Sequence, residues 1–443
     1  MGLVLRSPFD RDIARLAVPA VGALAAEPLY VLTDTAIVGR IGTPQLGGLA
    51  IAATILLTTY SLFVFLAYGT TGTVARLLGA GEIRAAAHQG VQALWLAAAI
   101  GVVVAAVGMA LARPAVAIMG AGPQVAPFAL TYLRISLVGV PSLMVVLAGT
   151  GYLRGLQDTR TPLVVAVGSA VANLVIEVVL VFGLDTGIAG SAWSTVVAQT
   201  GAALAYLAIV ARHVRAAGAP VRPDRAVLRA LATVSRHLFV RTAALRFSLT
   251  MATAVAARLG VVELGAHQVA FEIWSFLALV LDAIAIAGQA MVGRLLGAGD
   301  GSRARAASRR MVEWGVAVGL VFGALVAGAS AVLPRLFTDD ADVARLASFL
   351  LLLVAALQPL NAVVFVLDGV LIGAGDLRYL AWAMVGAAAA FVPAGLAVNL
   401  LGLGIGWLWA ALVLLMAARL VALGARWHHG TWAVVGARPP SRP

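Results

Sequence analysis

The sequence predicts an all-α, polytopic membrane protein with twelve transmembrane helices in two homologous six-helix lobes. Three observations carry this. With 62% hydrophobic and 11% charged residues and a mean hydropathy of +1.00, a chain of 443 residues has too little polar surface to cover a soluble domain. Long apolar stretches recur between short charged turns. The chain also matches itself when displaced by 218 residues.

The apolar stretches define the elements in order. The first half predicts spans over 13–38, 46–72, 89–112, 127–153, 162–183 and 188–211; the second predicts 234–257, 264–292, 312–334, 344–372, 379–401 and 404–425. Each is long enough to cross a hydrocarbon core of ~30 Å, which needs ~20 residues. The N-terminal stretch is read as the first span and not as a leader, because it has a counterpart at 234–257. Residues 212–237, with Pro220 and Pro223, are read as the linker, and the tail after Ala433 as disordered.

The self-match holds one register without a gap. Arg76-Leu77-Leu78-Gly79-Ala80-Gly81 falls on Arg294-Leu295-Leu296-Gly297-Ala298-Gly299. Pro141, Gly151, Gly155 and Asp158 fall on Pro359, Gly369, Gly373 and Asp376. The halves are therefore 1–217, spans one to six, and 218–443, spans seven to twelve. Paired halves in a membrane protein imply two bundles working about a shared midplane site.

Charge sets the topology. All 31 basic residues counted as Lys or Arg are arginine. With the N-terminus cytoplasmic, 23 of them, among them Arg6, Arg76, Arg154, Arg419, Arg438 and Arg442, fall on the cytoplasmic side and five opposite. This predicts both termini in the cytoplasm, and explains the formal charge of +12 as topology and contact with anionic lipid, without nucleic acid. The chain has no cysteine, which excludes thiolate and iron-sulfur chemistry. Having no lysine, it has no Walker A motif, so no nucleotide drives it directly. The six histidines are read as lying in loops or at helix ends, without metal-ligand spacing. The expectation is a carrier driven by a gradient, which requires ionisable groups inside the membrane.

Those groups are concentrated in the first half. Asp34 lies well inside the first span; Asn173 and Glu177, four apart in the fifth, share a helix face; Thr195 lies in the sixth. Their repeat partners are Ala252, Phe391, Gly395 and Val413. The polar set is thus a specialisation of one half, since the scaffold motifs were kept in both. Burial and a like charge nearby both favour the neutral form of a carboxyl group, so paired acids suit reversible proton binding. Glu27, seven residues before Asp34, lies on nearly the same face.

Twelve spans in two lobes, Val-Leu-Thr-Asp-Thr-Ala-Ile-Val-Gly-Arg in the first span, Ala266-His267-Gln268-Val269-Ala270 opening the eighth and the duplicated Arg-Leu-Leu-Gly-Ala-Gly resemble the multidrug and toxic compound extrusion (MATE) transporters. Leu281-Asp282-Ala283-Ile284-Ala285-Ile286-Ala287-Gly288-Gln289-Ala290 with Val292-Gly293-Arg294 is most similar to their DNA-damage-inducible F (DinF) branch. The resemblance implies a V-shaped pair of lobes, Asp34 as the protonation site networked with Asn173, Glu177 and Thr195, and a bend of the first helix at Pro19. It further implies a secondary antiporter, not an enzyme, that exports amphipathic, cationic organic compounds in exchange for protons by alternating access. Such a protein needs no cofactor or ATPase and works as a monomer in a bacterial inner membrane. Sodium coupling, or flipping of a lipid-linked saccharide, are the alternatives.

Accessory candidates for substrate contact are Glu27, Glu272, Asp282, Asp368, Arg246, Trp193 and Trp274. The preferred reading of Glu272, Asp282 and Asp368 with Arg241 and Arg246 is a charge network within the second half, because intramembrane ions pair.

Overall fold

A computed structural model of the protein describes residues 7–437. Among them are twelve helical spans long and apolar enough to cross a membrane. In the first half these are α1 (Asp10–Gly39), the broken span α2 (Thr43–Phe63) and α3 (Phe65–Gly79), α4 (Ile83–Ile118), α5 (Ala126–Gly155), α6 (Arg160–Val178) and α7 (Gly187–Ala217). In the second half they are α8 (Arg225–Leu259), α9 (Val261–Gly297), α10 (Gly301–Ala329), α11 (Ala341–Gly373), α12 (Leu377–Leu400) and α13 (Ile405–His428).

Several helices outrun their apolar stretches, because arginine is a good helix former and helices continue beyond the bilayer. The arginines at 303, 305, 309 and 310, expected ahead of the ninth span, lie inside α10. The linker shrinks for the same reason: α7 continues to Ala217 and α8 starts at Arg225, leaving 218–224 in place of 212–237. The tail expected to be disordered is placed through Ala437, where Gly436 N–H donates to the Leu296 carbonyl at 2.9 Å. Arg6 and residues 438–443, including Arg438 and Arg442, lie outside the described residues.

The duplicated residues turn out to be packing contacts made twice. Gly151 on α5 admits the backbone of Ala67, and Gly369 on α11 admits that of Ala285. Gly155 lies against Thr71 and Val74, and its partner Gly373 against Gln289. Gly101 meets Pro141 as Gly319 meets Pro359, and Gly47 meets Val125 as Gly265 meets Val343. Small residues let helix backbones approach closely, which drives helix association in lipid. Each half is accordingly built around its fourth span, α5 or α11. Gly81 and Gly299 close the duplicated Arg-Leu-Leu-Gly-Ala-Gly turn at φ of 77° and 82°, a left-handed conformation that glycine adopts without strain.

The described residues form two compact units, one of Val18–Ser235 and the other of Arg236 onward together with the start of α1 up to Ala17. The repeat register had put the boundary of the halves between 217 and 218. Both divisions fall inside helices, α1 and α8, at positions related by the same 218-residue offset. The start of each helix is fastened by the third span of the unit it belongs to. On α10, Arg310 donates from Nε and Nη2 to Asp10 at 2.6 and 2.9 Å, and Trp314 Nε1 donates to Asp10 at 2.8 Å. On α4, Gln92, the repeat partner of Arg310, accepts from Asp224 N–H at 2.8 Å and donates to the Arg222 carbonyl at 2.8 Å. Trp95 Nε1 adds a bond to the Val221 carbonyl at 3.0 Å, and His88 Nδ1 lies 2.9 Å from the Pro220 carbonyl. The linker is therefore strapped to α4. Asp224 also caps α8, accepting from the N–H groups of Ala226 and Val227, which hold its carboxyl below the usual carboxylate range.

Candidate functional site

The polar residues of the first half meet inside the unit Val18–Ser235. Asp34 comes from α1, Asn173 and Glu177 from one face of α6, and Thr195 from α7. All four are buried, Glu177 completely. Asp34 and Glu177 lie within hydrogen-bonding reach of each other. Tyr132 on α5 donates to Asp34 at 3.1 Å. Asn173 Nδ2 donates to the Tyr30 hydroxyl at 3.2 Å and to Ser194 at 3.0 Å. Tyr30 in turn donates to Thr195, which donates to the Ser191 carbonyl at 3.2 Å. Two residues after Glu177 the helix passes into a π turn, Val179–Gly183, a local widening often found beside functional groups.

This network leaves oxygens over. Asp34 Oδ1, Asn173 Oδ1 and both carboxyl oxygens of Glu177 have no hydrogen-bond partner. Two ionised carboxylates with bare oxygens in an apolar interior are costly. A proton shared between them, or a small cation, removes a charge and supplies the missing bond. The arrangement thus has the chemistry of a site for a proton or a small cation.

In the second half the same positions carry no polar side chains. Ala252 and Phe391 are completely buried, and a side chain added at Gly395 would meet Met251 and the Phe391 ring. Apolar packing takes the place of the polar cluster.

The remaining candidates are dispersed. Pro19 lies inside a continuous α1, two residues beyond the division of the units. Glu27 is half-buried and bonds to Tyr60, with Arg154 acting on the same tyrosine. Asp368 is buried and paired to Arg241 at 2.5 Å and to Arg419. That changes the membership of the expected network: it takes in Arg419, buried in α13, and does not include Glu272, which is exposed and accepts from Gln268 at 3.3 Å. Arg76 and Arg154, assigned to the cytoplasmic face, are buried against their own unit. Asp282 is half-buried on α9 and Arg246 is exposed on α8. Trp193 is exposed, whereas Trp274 is buried beside Phe271 and Trp409. His267, expected at a helix end, is wholly buried within α9.

Sequence reasoning missed Tyr30, Tyr132, Ser191 and Ser194. Tyr30 and Ser191 each lie one helical turn before a residue already singled out, a usable signal. Tyr132 has no such local mark.

The described residues thus form a duplicated twelve-span bundle with a buried acidic cluster in one half. The MatE family model matches residues 19–179 and 238–401, and the chain belongs to this family of multidrug and toxic compound efflux transporters, whose members are not enzymes. Over 97% of its length it is 32% identical to Protein DETOXIFICATION 44, chloroplastic, of Arabidopsis thaliana, covering 84% of that protein. To the DNA damage-inducible protein F of Escherichia coli it is 30% identical, over 96% of this chain and 94% of the relative. Among solved structures, MATE in the bent conformation superposes with a TM-score of 0.86 at 21% identity, covering 96% of each chain. The Vibrio cholerae MATE transporter VcmN in its bent form gives 0.81 at 20% identity, with 96% of each chain covered.

Proposed function

We propose that the protein is a proton-coupled antiporter that exports amphipathic organic cations, with Asp34, Glu177, Asn173 and Thr195 acting as one coupling site. The observation that carries this reading is the pair of buried carboxyls with unfilled oxygens, present in one half and replaced by apolar packing in the other. A proton taken up at the pair favours release of the organic cation; its loss on the other side restores the negative charge that attracts the next. One proton is worth about 2.3 kcal/mol per 100 mV and about 1.4 kcal/mol per pH unit, and alternating access between the halves 1–217 and 218–443 converts this into efflux. Pro19 is the bend that accompanies the exchange. The arginine asymmetry supports both termini being cytoplasmic, and the reading is completed by a monomer in a bacterial inner membrane.

Sodium is the second reading, favoured by one observation. Four unpartnered oxygens from two carboxyls and an amide also form a set of hard ligands.

The test is efflux of a fluorescent organic cation from proteoliposomes under an imposed pH gradient or sodium gradient. Proton coupling requires that the pH gradient alone drive efflux and that Asp34→Asn abolish it in a folded protein. Adding Asn173→Ala to Asp34→Asn should cost little more, because residues sharing one ion do not add. Normal pH-driven efflux by Asp34→Asn overturns the assignment; efflux driven by sodium alone transfers it to the second reading.

A further inference from the structure

The strap that ties residues 218–224 to α4 includes a side chain able to change charge near neutral pH. His88 is half-buried in the second turn of α4 and turns both ring nitrogens toward the linker. Nδ1 lies 2.9 Å from the Pro220 carbonyl, and Nε2 lies 3.8 Å from Asp224 Oδ2.

These two contacts assign the protons of the ring. A carbonyl oxygen only accepts, so Nδ1 carries a hydrogen whatever the charge of the ring. The other nitrogen then decides how the strap is held. In the neutral ring Nε2 turns a lone pair toward a carboxylate that is itself an acceptor; in the charged ring it turns an N–H, and the contact becomes an ion pair. The carboxylate is fixed in place for this. Asp224 accepts from the N–H groups of Ala226 and Val227, and its own N–H donates to Gln92 Oε1, one turn along α4 from His88.

Asp224 is the acid set against the imidazole. Glu82 and Arg84 at the start of α4, Arg222 on the linker and Arg225 at the start of α8 are all exposed. At the ends of α5 and α7, Arg154 is buried, Arg212 and Arg215 are exposed, and His213 packs on Tyr152 with ring centroids 5.8 Å apart. Tyr152 in turn lies against Gly90, two residues beyond His88 and so on the far side of α4. On α3, Arg76 is buried.

The arrangement is not duplicated scaffold. The repeat partners of His88 and Gln92 are Ala306 and Arg310, and Arg310 is engaged with Asp10. A titratable ring at this place belongs to the first half alone.

We propose that His88 is a pH-sensitive latch on the linker: with its ring charged it ties 218–224 to α4, and with its ring neutral it lets that segment loosen. Histidine changes charge between about pH 5 and 8, so the latch is closed on the acid side of that range and opens as pH rises through it. A solvent-accessible ion pair shifts an equilibrium by roughly 1.5-fold to 5-fold, so the latch biases the linker and does not lock it. That the pH sampled is the cytoplasmic one rests on the topology proposed above; the latch itself does not.

The chain has no cysteine, so Val221→Cys places a unique nitroxide spin label on the linker. The Val221 side chain is exposed, and its carbonyl remains available to Trp95. Electron paramagnetic resonance spectra of the labelled protein in lipid nanodiscs, taken across about pH 5 to 8, give the ratio of mobile to immobile label. That ratio should rise roughly two- to fivefold from the acid to the alkaline end. In His88→Gln, which keeps a donor for the Pro220 carbonyl but cannot take a charge, it should stay at the alkaline value throughout. Asp224→Asn, which keeps the cap of α8, should likewise remove the pH response. A ratio independent of pH in the labelled parent overturns the proposal without reference to any other variant, as does a pH response that persists unchanged in folded His88→Gln. Efflux is not an input to this readout, so failure here is separate from failure at Asp34.

Discussion

Asp368 is the sharpest test of how charge is held in this interior. Its carboxylate bonds to Arg241 and Arg419, and all three side chains are largely removed from solvent. Asp368→Asn keeps the shape but takes away the negative charge, leaving both guanidiniums facing a neutral amide. Removing one partner of a buried ion pair costs roughly 3–5 kcal/mol, a factor of about 10² to 10⁴ in the unfolding equilibrium. Arg241→Met is gentler, because Asp368 keeps Arg419; the loss of one charge-assisted bond is about 1.5–3 kcal/mol. Replacing all three by apolar residues of similar volume should return stability to within about 1 kcal/mol of the parent or above it. Unfolding in mixed micelles by titration with sodium dodecyl sulfate, followed by near-ultraviolet circular dichroism, measures the series. The reasoning fails if Asp368→Asn is neutral, or if the triple replacement is as damaging as the single one.

The other expectations concern packing, turns and the linker. Gly151→Val and Gly369→Val each push a branched side chain into a helix backbone, at Ala67 and Ala285, and should cost at least about 1–3 kcal/mol apiece, with similar values because the contact is the same; a large difference would show that the halves pack differently. Gly81→Ala meets nothing within 4 Å, so the same titration should show only backbone strain, roughly 1–2 kcal/mol. Gln92→Ala removes both of its bonds to the linker and should speed limited proteolysis within 218–224 several-fold; unchanged cleavage means the strap is held by other contacts. Because the Asp224 carboxyl is held below its ordinary value, its contribution is present above about pH 4 and is lost as pH falls through the folded value. Cleavage of the linker should therefore rise on acidification in the parent and be independent of pH over that range in Asp224→Asn.

The fold was legible because lipid imposes it. Unbroken apolar stretches have one structural solution in a bilayer, and the second copy of each motif checked the first. Hydropathy could not see where helices continue into water, as at Arg225 and Arg303, since arginine is helix-compatible but polar. The acidic cluster was legible through the comparison of halves: Asp34, Asn173, Glu177 and Thr195 stood out against Ala252, Phe391, Gly395 and Val413. That comparison finds residues which differ between repeats and whose chemistry is conspicuous. It is blind to Tyr132, whose hydroxyl reaches Asp34 from another helix, and to the pairing of Arg419 with Asp368 fifty-one positions away. Both depend on tertiary proximity that no local pattern records.

One feature of the architecture bears on how force travels through the molecule. The two units are joined inside α1 and α8, at equivalent residues, and not through a slack tether, since 218–224 is bound along its length to α4. A helix transmits torque down its hydrogen-bond ladder, so both junctions are stiff rods and not slack chain. The rods differ in one respect. α1 carries Pro19 just beyond the junction, where one ladder bond is missing, whereas α8 has His237 at the matching position and keeps its backbone donor. Strain will concentrate in the more compliant member, and that member is the one bearing Asp34.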